Sequence, residues 1–91
     1  MLSTEPNDPF LHYALALEEV KEDPQIGLRR LANMNEQFPD HVSAYFRRGQ
    51  ILADAGDMTA ATQVLNAGIQ VARRIGDDHA VAEMQGLLES F

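Results

Sequence analysis

The sequence predicts an all-α fold built from antiparallel helix pairs, and three observations carry that expectation. Apolar residues recur at spacings of three and four through most of the chain, the mark of helices with one buried face. Short punctuation separates these stretches at Asp8-Pro9, Asp23-Pro24, Pro39-Asp40, Gly56-Asp57 and Gly76-Asp77, combinations that end one helix or cap the next. The breaks are only a few residues long, so consecutive helices must turn back on one another.

Residues 1–7 offer Ser, Thr, Glu and Pro with little to bury, and are expected to be a flexible lead-in. Asp8 then accepts from free N–H groups while Pro9 takes the first helical position, starting a helix over about 9–21. Its apolar set is Phe10, Tyr13, Ala14, Leu17 and Val20, with Leu11 and Leu15 on a neighbouring stripe. Asp23-Pro24 starts a second helix with Ile26, Gly27, Leu31, Met34 and Phe38 on one face, stopped by Pro39. Asp40 is the expected cap of a third helix carrying Val42, Tyr45, Phe46, Gly49 and Leu52 as far as Asp54. Gly56 supplies a left-handed residue, and Asp57 caps a fourth helix with Met58, Ala61, Val64, Leu65, Gly68, Val71, Ala72 and Ile75. Gly76 closes it, and Asp77-Asp78 opens a last helix with Ala80, Val81, Met84, Leu87, Leu88 and Phe91 as its apolar face.

The helix pairs repeat. Gly27, Leu31 and Met34 match Ala61, Leu65 and Gly68 at a separation of 34, while Phe10, Ala14 and Leu17 match Tyr45, Gly49 and Leu52 at 35. On that alignment one residue is inserted in the first turn, within 21–25. A helix–turn–helix period near ~34 residues, with an aromatic, a small residue and an Ala at these places, resembles the tetratricopeptide repeat family. Tyr45, Gly49, Leu52, Ala61 and Leu65 carry the resemblance in the second repeat, and Phe10, Ala14, Leu17, Gly27, Leu31 and Pro39 in the first. Arg48 stands where the family has Leu, Gly68 where it has Ala, and Arg73 where it has a closing Pro. The resemblance implies a short right-handed superhelix of repeats 8–41 and 42–75, with 77–91 as a capping helix.

Composition narrows the function. At 91 residues the chain is one small domain, too small for a deep enclosed active site. Without cysteine it has no disulfide, thiolate site or Cys nucleophile, which fits a reducing compartment, and a cytoplasmic location is expected. A net charge of −7 repels phosphate backbones, so nucleic acid is not an expected partner. The arginine doublets 29–30, 47–48 and 73–74 divide between helix faces about 100° apart and make no basic patch. No apolar run nears the ~20 residues of a membrane span. His12, His41 and His79 lack the spacing of a metal motif, and Glu18, Glu19, Glu22 and Asp23 read as a solvated acidic face. No catalytic motif is present, so neither an enzyme nor a cofactor is expected.

In the family that the chain resembles, the first helix of each pair lines a concave groove. The resemblance places Leu11, His12, Leu15, Glu18 and Glu19 there in the first repeat, and Phe46, Arg47, Gln50, Ala53 and Asp54 in the second. The implied function is protein–protein interaction, a peptide or helix of a partner lying in that groove. Few cationic clamp residues stand there, which disfavours capture of a C-terminal carboxylate. Two repeats are few for a free-standing stack, so a homodimer is also expected. The alternative is an assembly subunit, or part of a longer solenoid, that self-associates without a separate ligand.

Overall fold

The computed structural model describes residues 7–91, so residues 1–6 of the expected lead-in lie outside the described residues. The described residues form α1 (Pro9–Glu22), α2 (Pro24–Gln37), α3 (Val42–Asp54), α4 (Met58–Ile75) and α5 (Asp78–Glu89), with no strand among them. Local chemistry sets most of the ends. Asp8 accepts from the backbone N–H of Phe10 at 2.9 Å and Asp23 from that of Gln25 at 3.0 Å. Asp57 and Asp77 accept from Ala60 and Ala80, one turn into α4 and α5. Gly56 and Gly76 take positive φ of 87° and 79°, which a side chain would resist. Asp40 does not cap α3: His41 holds that position without a side-chain bond, and the Asp40 carboxylate accepts from Arg74 Nη2 at 2.6 Å.

Two hydrophobic clusters share α3. Ala44 and Ile51 join Ala16, Leu31 and Met34 of the first pair, flanked by Tyr13, Val20, Leu28 and Phe38. Tyr45, the next residue along, belongs to the other cluster with Val64, Leu65, Ile69, Ala72 and, from α5, Ala80 and Met84. Neighbours about 100° apart on one helix thus serve both pairs. Arg48, at a position where the family has Leu, lies on the seam and donates to Asn35 Oδ1 of α2 at 2.9 Å.

The register of α1 differs from the expected one. Ala16 is fully buried, whereas Ala14 is exposed and Phe10 is 74% exposed. Ala16 is therefore the counterpart of Gly49, at a separation of 33 that also relates the cap positions Asp8 and His41. The second helices keep the separation of 34, as their caps Asp23 and Asp57 show. The first turn thus lacks a residue relative to the second rather than carrying an insertion. Its physical basis is Asp23, a single extended residue that ends α1 and caps α2 at once. So abrupt a turn brings the helices close, and a Cβ on Gly27 would lie 2.8 Å from the backbone nitrogen of Val20.

Candidate functional site

The corrected register sorts the candidate residues into faces. In α3, Ala44 and Ile51 pack back onto the first helix pair, with Arg48 bonded to it between them. Counted from the cap, Ala80, Met84 and Leu87 occupy the same positions in α5 and pack onto the second pair. In α1 these positions are Leu11, Leu15 and Glu18, where no helix pair precedes them among the described residues. The positions of Phe46, Arg47, Gln50, Ala53 and Asp54 correspond in α1 to Tyr13, Ala14, Leu17, Val20 and Lys21.

Leu11 and Leu15 are half-buried. Glu19 is held by Arg30 of α2 in a two-point ion pair, Nε to Oε1 at 2.7 Å and Nη2 to Oε2 at 2.9 Å. That guanidinium holds the Glu19 carboxyl below its ordinary range. Arg30 Nη1 also lies 3.2 Å from His12 Nδ1, and the His12 ring packs on Phe38. With Ile26 and Met34, the His12, Glu19 and Arg30 side chains border a concavity of about 240 Å³. Glu18 is exposed and pairs with Lys21 at 3.3 Å.

In the second repeat Phe46 packs against the cluster that α5 completes and borders a small concavity with Val42, His79 and Glu83. Arg47 Nη1 donates to Gln50 Oε1 at 3.1 Å, while its Nε is buried with no acceptor among the described residues. Ala53 is half-buried and Asp54 exposed. Arg47 and Asp54 border a cleft of about 310 Å³ whose floor is Val20, Leu28 and Ile51. The structure therefore joins His12 with Glu19, and Arg47 with Gln50 and Asp54, and sets Phe46 apart toward α5. Sequence reasoning missed Arg30, eleven residues from its partner but directly across the α1–α2 hairpin, and it missed the cleft floor, drawn from three helices.

His41 forms a further cluster. Its ring meets the edge of Phe10 at 5.6 Å and lies 5.3 Å from Tyr13, with Nε2 buried and unbonded among the described residues. Burial pushes its pKa below the ordinary 6.5. The fold therefore favours the neutral ring, and its contribution is complete above pH 6.5 and lost as pH falls from there toward the lowered value. Melting temperature should drop between pH 7.5 and 5.5, and His41→Gln should flatten that slope. An unchanged slope in the variant would show that His41 does not titrate against the fold.

Among the described residues no group of three or more His, Asp or Glu is placed to hold a metal, and no helix is long and apolar enough to cross a membrane. No protein-family profile matches the sequence, and a search of curated proteins gives no match. Solved structures do match. The solution NMR structure of a tetratricopeptide repeat domain protein from Salinibacter ruber is 31% identical with a TM-score of 0.87, over 93% of this chain and 87% of that one. A crystal structure of a tetratricopeptide repeat domain protein from the same organism is also 31% identical, with a TM-score of 0.82 over 91% of this chain and 93% of that one.

Proposed function

Because this chain belongs to the tetratricopeptide repeat family, we propose that it is a protein–protein interaction module that binds a peptide or helix of a partner along the inner face of its first helices. We read residues 8–41 and 42–75 as its repeats, 77–91 as its cap and the cytoplasm as its location. The observation that supports the groove most directly is the cleft that Arg47 and Asp54 border beside the hydrogen-bonded Gln50. Ala53 completes this face in α3, and Tyr13, Ala14, Leu17 and Val20 continue it in α1.

A second reading is favoured by Leu11 and Leu15. They stand where α3 and α5 use side chains to stack, so we assign them, with His12, Glu18 and Glu19, to an end face suited to another copy or a further repeat. Phe46 supports the α5 contact on this reading.

The readings separate in one experiment. Peptides selected from a random library on the purified chain should shift the amide signals of Tyr13, Leu17, Arg47 and Gln50. Gln50→Trp should weaken them about tenfold or more without lowering the melting temperature. Binding that maps to α2 and α4 and ignores Gln50→Trp would overturn the groove. A mass by light scattering that halves on dilution, and is monomeric at all concentrations in Leu11→Glu/Leu15→Glu, would establish the end face.

A further inference from the structure

We propose that the cleft between the repeats, at the end of the groove nearest the helix turns, is a docking pocket for an apolar side chain flanked by lysine or arginine in an extended segment of another polypeptide. This rests on the groove reading and adds to it a depth, a polarity and a sequence preference. The cleft is about 310 Å³ and its floor, Val20, Leu28 and Ile51, comes from α1, α2 and α3, so it exists only where the two repeats meet. Such a volume, apolar below and polar at the rim, matches an anchor pocket for one large aliphatic or aromatic side chain.

The rim sets the charge. Asp54 borders the cleft, Asp23 immediately precedes the bordering Pro24, and Asp57 follows the bordering Ala55 by two residues. All three carboxylates are exposed, and among the described residues the Asp23 and Asp57 side chains each accept one cap bond from the backbone. Lys21, two residues before Asp23, is already paired with Glu18. A lysine or arginine beside the anchored residue meets this rim, and the net charge of −7 steers such a segment toward the chain. Arg47 also borders the cleft. A backbone carbonyl of an extended segment can accept from its guanidinium without adding a carboxylate to an acidic rim.

The test uses two end-blocked heptapeptides, one alternating lysine and leucine and the other glutamate and leucine, titrated into the full chain with methyl signals recorded by NMR. The lysine peptide should shift the methyls of Val20, Leu28 and Ile51, lose affinity as salt rises, and bind about tenfold or more weakly to Asp54→Lys. Asp54 is exposed at the C-terminal end of α3, where lysine suits the helix dipole, so this variant should melt like the parent. Equal binding of both peptides would overturn the charge preference. Shifts confined to the methyls of Ala14 and Leu17 would overturn the pocket while the groove survives. Absence of any lysine-peptide binding would also overturn the pocket, leaving the groove to the library peptides. Dilution of the unliganded chain that moves the same methyls would give the cleft to a second copy and overturn the proposed occupant.

Discussion

Leu65→Ala should lower the stability of the domain by about 2–5 kcal/mol, and Gly49→Ala by about 1–3 kcal/mol, yet the two together should cost less than their sum. Leu65 has no exposed surface, and its loss leaves a cavity at the crossing of α3 and α4. A Cβ on Gly49 would lie 2.5 Å from Leu65 Cδ2 and 2.6 Å from Cγ, with no outlet for a side chain buried on all sides. In the double variant the added methyl enters the space that Leu65 vacates, so overpacking and cavity offset each other. A chain of this size has roughly 5–14 kcal/mol in all, so either single change consumes much of it. Urea unfolding of the four proteins measures the coupling, expected at about 1 kcal/mol or more in the favourable direction. Strict additivity would mean that the residue 49 methyl and the Leu65 side chain do not share that space.

The same crossing shows what the sequence made legible. Helix limits were readable because caps are local: Asp8, Asp23, Asp57 and Asp77 bond within their own first turns, and Gly56 and Gly76 act through their own φ. Asp40 failed as a cap because a partner 34 residues away, Arg74, claims its carboxylate. The face of α1 was not readable. It is apolar nearly all round, so hydropathy names no side, and the residue that decides the packing is the small Ala16 beneath Leu31. With Ala14 as the counterpart of Gly49, the expected first-repeat groove falls on Leu11, His12, Leu15, Glu18 and Glu19. Of the arginine doublets, 47–48 divides between faces, Arg47 turning to Gln50 and Arg48 to Asn35. Which partner each arginine finds depends on helix faces meeting across a hairpin, and no local pattern encodes that. The cleft needed the register first, because Val20, Leu28 and Ile51 converge only once α1 is correctly turned.

Gly27→Ala and Gly86→Ala, the same chemical change on two helices, should have opposite signs. Alanine favours a helix interior over glycine by about 0.8–1 kcal/mol, a gain available at both positions. At Gly86 nothing lies within 4 Å of the new Cβ, so that gain survives and the melting temperature should rise by roughly 2–6 °C. At Gly27 the Cβ would meet the Val20 side chain, and also the Val20 backbone at 2.8 Å from N and 2.9 Å from Cα. A side chain can change rotamer, but backbone atoms yield only if α1 moves away from α2 as a body. The one-residue turn at Asp23 gives that movement little slack. Net destabilisation of about 2 kcal/mol, or roughly 8–16 °C in melting temperature, is expected. Displacing α1 also separates Val20 from Leu28, which border one cleft, so Gly27→Ala should bind the lysine–leucine peptide more weakly even where it remains folded. A Gly27→Ala protein that melts within a degree of the parent would show that the close approach of α1 and α2 is not what fixes the first helix pair.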